Sequence, residues 1–77
     1  MKNYNRQIGA WLAYQRKAHN MSQDDVAEMM HVTKATVSRW ETGIRTIDAS
    51  KMFEFCDVIN ADIRQMVTDI ENGFGEE

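Results

Sequence analysis

SQDDVAEMMHVTKATVSRWETG, residues 22–43, is the stretch that decides the fold of this chain. Ser22 is a good helix N-cap, and two acidic residues follow close to the positive end of the helix that it would start. Thr33 can cap a second helix over about residues 34–42, and Gly43 ends it because glycine readily adopts a left-handed C-cap. The stretch therefore predicts two short helices joined by a tight turn.

Each of these helices has an apolar side and a polar side. Val26, Ala27 and Met30 mark the inner side of the first, while Val37 and Trp40, spaced i and i+3, keep the second on the core. The other residues of interest in the second helix are small, polar or basic: Lys34, Ala35, Thr36, Ser38 and Arg39. The pattern is that of a helix-turn-helix that places its second helix against DNA.

A further helix precedes this stretch. It follows a polar segment, residues 1–5, that we expect to be flexible, and it runs to about Ala18. Trp11 and Tyr14 lie three residues apart on a face beside its apolar stripe. They either pad the core or meet a partner, and padding is the favoured interpretation.

Two more helices follow. Asp48 predicts the cap of a fourth, and Asp62 with Gln65 has the spacing of a capping box at the start of a fifth. Each then repeats an apolar stripe at i, i+3, i+4 and i+7. The two stripes are Met52, Phe55, Cys56 and Ile59, and then Ile63, Met66, Val67 and Ile70.

Length and composition agree with one all-α domain of five helices. Seventy-seven residues are too few for two independent cores, and the absence of proline favours uninterrupted helices. We expect a compact core over about residues 6–71, with residues 72–77 flexible unless Phe74 docks.

Charge is distributed unevenly along the chain, whose net charge is −3. Residues 1–51 carry eight Lys and Arg against five Asp and Glu, whereas residues 52–77 carry one against seven. The first part could face phosphates, and the acidic remainder should face elsewhere.

Several classes of protein are disfavoured. Cys56 has no cysteine partner, and neither it nor the two histidines form a cluster with zinc spacing, so no disulfide, metal or other cofactor is expected. No nucleophile–base pair, carboxylate pair or phosphate loop stands at a usable spacing for an enzyme. The chain has no apolar run of membrane-spanning length and no leader, which favours a cytoplasmic protein.

From Ile8 to about Val67, without a gap, these residues resemble the helix-turn-helix family of phage Cro and repressor proteins, also called the xenobiotic-response-element (XRE) family. The most specific matches are Arg16, Ser22-Gln23, Val26-Ala27, Val32-Thr33 and the run Val37-Ser38-Arg39-Trp40-Glu41-Thr42-Gly43. The resemblance implies a five-helix, lambda-repressor-like DNA-binding domain. It further implies a cytoplasmic, bacterial or phage-encoded regulator, expected to be a repressor, that binds a two-fold symmetric operator on double-stranded DNA as a homodimer.

The resemblance also implies roles for individual residues. Gln23 would bond a phosphate, while Arg16 and Glu41 occupy positions that commonly hold a buried ion pair. Backbone amides around Thr42 to Ile44, with the Arg45 side chain, would hold the phosphates beyond. Lys34, Ala35, Ser38 and Arg39 would face base edges. The expected DNA-binding set is Gln23, Thr33, Lys34, Ala35, Thr36, Ser38, Arg39, Thr42 and Arg45.

The groove chemistry suits these residues. Ala35 and Ser38 leave room for the helix to approach base edges, and Arg39 can offer a two-pronged contact to guanine O6 and N7. The methyl groups of Ala35 or Thr33 could meet a thymine methyl. On an isolated helix, Lys34 and Arg39 would simply be solvated charges.

Three residues depart from the family pattern. His31 replaces a usual glycine at the turn, Ile47 stands where proline is common, and Gln15 where an apolar residue is common. None of these removes a position expected to contact DNA. They bear on local packing, and His31 raises the conformational cost of the turn.

The sequence also offers candidates for protein partners. A homodimer would use the fourth and fifth helices, with Ile70 and Phe74 as candidate contacts. The alternative function is a protein-interaction module of the same fold, antitoxin-like or regulatory, that reads DNA weakly or not at all. The overall acidity, together with exposed Trp11 and Tyr14, would fit that role. Phage or mobile-element repressor, restriction-modification controller and antitoxin all remain open.

Overall fold

A computed structural model describes residues 3–76, and over this range the chain forms five α-helices and no strand. The helices are α1 (Tyr4–Ala18), α2 (Gln23–Met30), α3 (Lys34–Thr42), α4 (Ala49–Val58) and α5 (Ile63–Glu71). The predicted all-α, five-helix architecture is confirmed. None of these helices is long and apolar enough to cross a membrane.

Side-chain caps set the starts of the middle helices. Ser22 Oγ accepts from the Asp25 amide at 3.0 Å, and the Asp25 carboxylate accepts from the Ser22 amide at 2.9 Å. The backbone N–H of Ser22, and then its hydroxyl, lower the pKa of Asp25. Thr33 and Asp48 cap α3 and α4 in the predicted way. The residue at which each of α2, α3 and α4 begins is therefore determined by a capping side chain close to it in the sequence.

Left-handed residues reverse the chain between helices. Asn20, His31 and Asn60 have φ values of 58°, 57° and 58°, and Gly43 has 78°. At His31 the turn between α2 and α3 requires a conformation that glycine would adopt at lower cost. Histidine is enriched there relative to most side chains, so the departure from glycine is accommodated.

A single apolar core holds the five helices. Its most deeply buried members are Trp11, Leu12, Val26, Val37, Phe55 and Ile59. α1 packs against α3 and α5, while α2 packs against α3 and α4. The Trp40 ring lies 6.4 Å from the Phe55 ring between centroids, which joins α3 to α4. Ile47, where the family pattern favours proline, is buried against the same core. α3 is thus fixed on one side by three other helices.

Hydrogen bonds and packing contacts are present near both ends of the described range, where the sequence predicts flexible segments. α1 begins at Tyr4 because Asn3 Oδ1 accepts from the Arg6 amide at 3.1 Å; Met1 and Lys2 lie outside the described residues. Residues 72–76, the C-terminal turn, lie against α1, and Phe74 packs on the core. Phe74 therefore docks, which is the case in which the sequence analysis does not expect this segment to be flexible. Glu77 lies outside the described range.

Two predictions about α5 are wrong. Asp62 accepts from the Arg64 amide at 2.9 Å, but the Gln65 side chain turns forward to Asp69 at 2.9 Å instead of back to the cap. No capping box forms, because Asp69 offers a carboxylate one turn ahead. Val67 is 57% exposed, since the described residues place no element over that side of α5.

Candidate nucleic-acid interface

A buried ion pair fixes the two helices of the candidate interface to α1. Arg16 Nε lies 2.7 Å from Glu41 Oε2, and Arg16 Nη2 lies 3.0 Å from Glu41 Oε1, a two-pronged contact between planar groups. A third donor, Arg16 Nη1, reaches the Met21 carbonyl at 2.8 Å. The structure therefore forms the pair that the resemblance implied, and it ties α3 to α1 and to the turn before α2.

Gln23 takes part in this cluster from the start of α2. Its Nε2 donates to Glu41 Oε1 at 2.9 Å, so one amide N–H is already engaged within the protein. Its second amide N–H and its backbone N–H at the helix start remain the groups suited to an anion. The predicted phosphate contact by Gln23 stays a prediction, restricted to those groups.

Gly9 was missed by the sequence reasoning. A Cβ built on it would lie 2.2 Å from the Trp40 carbonyl oxygen and 2.6 Å from that of Glu41. The backbones of α1 and α3 therefore approach so closely that only glycine fits. The available signal was a glycine inside an otherwise helical pattern, which commonly has a packing reason.

The outward side of α3 carries the residues expected there. Lys34, Ala35 and Arg39 are exposed, and Thr36 and Ser38 are half-buried. The opposite side, formed by Val37, Trp40 and Glu41, is buried. We call the first set the outer face and the second the inner face. The outer face has one long basic side chain near each end and small residues between them.

Lys34 has an acidic neighbour. Its Nζ lies 3.8 Å from Asp24 Oδ2, and both side chains are largely exposed. Asp25 provides the cap of α2, whereas Asp24 faces Lys34 across the turn. This carboxylate lowers the positive potential at the start of α3.

A groove runs beside the start of α3. Its volume is about 360 Å³, and Thr33 and Thr36 form part of its wall, with their hydroxyl oxygens 2.9 Å apart. Arg45 and Lys51 supply two basic side chains to the same groove, and Asp48 supplies one acidic side chain. The predicted residues Thr33, Thr36 and Arg45 are therefore brought together, with Lys51 as an addition that the sequence reasoning did not select.

The turn after α3 has fewer open donors than expected. The Gly43 amide donates to the Trp40 carbonyl and the Arg45 amide to the Arg39 carbonyl, each at 3.2 Å. The Thr42 hydroxyl donates back to the Ser38 carbonyl at 3.0 Å. Within residues 3–76, the Ile44 amide has no acceptor. Of the amides expected to hold phosphate, Ile44 is thus the one best suited.

The predicted dimer contacts are used inside one protomer. Ile70 is only 8% exposed and belongs to the core, and Phe74 packs on the core beside Tyr14. Ile70 therefore offers little exposed surface for the predicted dimer contact, because its side chain belongs to the apolar core. The exposed apolar side chains of α4 and α5 are instead Phe53 and Val67.

Trp11 and Tyr14 on α1 differ in burial. Trp11 is 1% exposed and its Nε1 donates to Asp69 Oδ2 at 2.9 Å, so padding of the core is the correct interpretation. This hydrogen bond, followed by that from Gln65, lowers the pKa of Asp69. Tyr14 is 60% exposed.

The cysteine and histidine side chains are the remaining groups that could carry chemistry. Cys56 is buried in the core, and the loss of solvation raises the pKa of its thiol to about 11, which makes the reactive thiolate scarce. His19 Nδ1 lies 2.8 Å from the Gln15 carbonyl oxygen. Among the described residues, no three His, Cys, Asp or Glu side chains form a group that could hold a metal ion.

Comparison with known proteins adds one match. No curated protein matches the sequence. A family model described as helix-turn-helix matches residues 12–65, more than two thirds of the chain, and includes α2, α3 and the ion-paired Glu41. The family is one of DNA-binding regulatory domains and not of enzymes. Since the model covers most of the fold and the whole candidate interface, the chain belongs to the XRE-type helix-turn-helix family of DNA-binding regulators.

Proposed function

We propose that this protein is a sequence-specific transcriptional repressor that binds a two-fold symmetric operator as a homodimer, with α3 in the major groove. The observation that carries the proposal is the outer face of α3. Small residues at its centre, Ala35 and Ser38, leave Arg39 and Lys34 as the longest side chains on that face. A helix needs this profile to bring its side chains within hydrogen-bond distance of base edges.

Arg39 is the best candidate for reading a base. It is exposed, and its planar guanidinium can donate two parallel hydrogen bonds to guanine O6 and N7. Such a contact contributes about 1–3 kcal/mol of discrimination against a wrong base. Lys34 is weaker in this role because Asp24 lies 3.8 Å from its ammonium group.

Phosphate contacts would flank α3 on both sides. At one end, Gln23 stands at the N-terminus of α2, where backbone N–H groups attract anions. At the other end, the Ile44 amide and the Arg45 side chain lie just beyond α3. Thr33 lines the same groove as Arg45. Contacts on both sides would fix the register of the helix, because phosphate contacts orient a protein on the duplex.

A homodimer follows from the size of the interface. One recognition helix buries too little surface for specific affinity, whereas two helices about 34 Å apart reach successive major grooves on one face of DNA. We place the dimer surface on α4 and α5, where Phe53 and Val67 are each 57% exposed. Repression then needs no additional contact, since an occupied operator excludes other proteins from the same DNA.

The test is selection of bound sequences from a random duplex pool with the wild-type chain and with Arg39→Ala. We expect a two-fold symmetric site, and the loss of one base preference per half-site in the variant. Arg39→Lys is the matched control, because it keeps the charge and loses the two-pronged contact. Failure to enrich any sequence would contradict the proposal.

The dimer has its own test. Sedimentation of the wild type and of Phe53→Asp at tens of micromolar should show a dimer that the charged variant converts to a monomer. A wild-type monomer both with and without the selected duplex would remove the dimer from the proposal, while leaving DNA binding intact.

A protein-interaction module of the same fold is the second candidate. The net charge of −3, the Asp24 carboxylate beside Lys34 and the exposed Tyr14 favour it. The burial of Trp11 removes one of its two aromatic candidates. Salt dependence separates the two functions, because DNA affinity falls steeply as salt rises and a DNA-independent module has no such affinity.

A further inference from the structure

The C-terminal turn is fastened to α1 by contacts that the proposed function does not use. Arg6 Nη2 donates to the Gly75 carbonyl at 2.7 Å, and Gln7 Nε2 donates to the Phe74 carbonyl at 3.0 Å. The Phe74 ring meets the Tyr14 ring edge to face, with 5.7 Å between centroids. These contacts hold the C-terminal turn on α1.

Glycine gives the turn its shape. Gly73 and Gly75 have φ values of 96° and 71°, which residues with a Cβ atom rarely adopt. A Cβ on Gly75 would also lie 3.4 Å from the Gln7 Cα atom. The C-terminal turn can thus lie close to α1 and present the Gly75 carbonyl to Arg6.

Arg6 also adjoins the turn after α3. A Cβ built on Gly43 would lie 2.7 Å from the Arg6 Cα atom, so the two backbones are in direct contact. Close by, Asn5 Nδ2 donates to Thr46 Oγ1 at 3.0 Å. The first turn of α1 therefore lies beside the segment to which we assign phosphate contacts, with the C-terminal turn as its other neighbour.

We propose that Arg6 is a further DNA-phosphate ligand and that the C-terminal turn withholds it. A phosphate is charged and matches the planar fork of a guanidinium, so it can accept two hydrogen bonds from Arg6. The positive end of α1 adds to the attraction. Rotation of a long side chain would move the guanidinium toward the Gly43 side without moving the helix. The inference rests on the proposed DNA binding and makes the C-terminal turn a restraint on affinity.

Phe74→Ala in the full chain tests this inference. It removes the ring that anchors the C-terminal turn and leaves every charge in place. The probe is a mixed-sequence duplex of about 20 base pairs, because phosphate contacts do not depend on sequence. We expect tighter binding at low salt. We also expect the slope of log affinity against log salt to steepen by about 0.9 for each protomer bound. Between about 50 and 200 mM salt, this is an additional loss of about 3.5-fold per protomer.

Arg6 itself is tested in the released background. The double variant Arg6→Ala/Phe74→Ala should return to the wild-type salt slope, and Arg6→Ala alone should leave that slope unchanged. Met29→Ala, which shortens an exposed apolar side chain on α2, is the control for a general effect of surface truncation. Hydrogen exchange at residues 73–76 reports whether the turn has been released.

The outcomes separate the inference from the proposed function. A folded Phe74→Ala variant with faster exchange at residues 73–76 and the wild-type salt slope would overturn the inference. If that variant does not fold, Gly75→Val replaces it, since it strains the backbone at φ 71° and leaves the ring in place. A wild-type chain with no salt-dependent affinity for any duplex would instead overturn the proposed function.

Discussion

The inner and outer faces of α3 lie on one helix of nine residues and experience opposite demands. On the inner face, Val37, Trp40 and Glu41 are buried, and Glu41 accepts hydrogen bonds from both Arg16 and Gln23. On the outer face, Arg39 is exposed and Lys34 has an exposed ionic partner 3.8 Å away. The comparison teaches that position around the helix, and not residue type, decides which side chains are buried: Glu41 is charged and buried, whereas Ala35 is apolar and faces outward.

Glu41→Ala should give the largest effect, because it leaves the buried Arg16 guanidinium without its carboxylate. We expect a loss of about 3–5 kcal/mol in the free energy of unfolding, measured by urea denaturation. The double variant Arg16→Met/Glu41→Leu should recover much of this loss, since apolar residues often replace a buried pair at little cost. A loss below about 1 kcal/mol for Glu41→Ala would show that the inner face does not depend on the pair.

Gly9→Ala comes next. Its new methyl group would overlap the Trp40 carbonyl oxygen and force α1 away from α3. Overpacking of this kind costs about 1–3 kcal/mol, although alanine is the better helix former by about 1 kcal/mol. Thermal unfolding shows whether the net change in stability is a loss, as we expect, or a gain. A stabilised variant would mean that the higher helix propensity of alanine outweighs the steric overlap, and that α1 and α3 can move apart at little cost.

Arg39→Ala addresses the outer face. We expect unfolding free energy to stay within about 0.5 kcal/mol of wild type, while discrimination at one base pair falls by about 1–3 kcal/mol. Competition between the selected duplex and single-base variants measures the second quantity. Equal losses on every sequence would make Arg39 a phosphate contact and not a base contact.

Asp24→Asn should give the smallest effect. It removes the carboxylate 3.8 Å from the Lys34 ammonium group and leaves the capping residue Asp25 intact. A unit charge about 8 Å from a phosphate in water contributes about 0.5 kcal/mol, so DNA affinity should rise by about twofold at low salt. Glu28→Gln, which removes another exposed acid from α2, is the matched control. An equal gain in both variants would indicate net charge and not local neutralisation of the outer face.

Local sequence patterns predicted the helix caps and helix faces, because these features depend on residues within one helical turn of each other. Ser22, Thr33 and Asp48 each cap a helix because the capped amide lies two or three residues ahead, and Gly43 ends α3 for a similarly local reason. The inner stripe of α2 and the division of α3 into two faces follow from helical periodicity. These features needed no knowledge of what packs against them.

Long-range packing decided the features that were missed. Val67 fits an apolar stripe, yet no described element lies over it. Ile70, proposed as a dimer contact, is buried in the core. Gly9 shows no local reason for glycine until the α3 backbone is placed beside it. Spacing along one helix cannot show which of its sides another helix will cover.

The sequence by itself determined five helices, the caps of α2, α3 and α4, and the outward set on α3, because those properties arise from hydrogen bonds and periodicity over a few residues. Only the tertiary structure decided that Gln23 joins the Arg16–Glu41 cluster, that Asp24 faces Lys34, and that the C-terminal turn holds Arg6. The partners in these contacts are 10 to 69 residues apart in the chain, and their meeting depends on how whole helices cross.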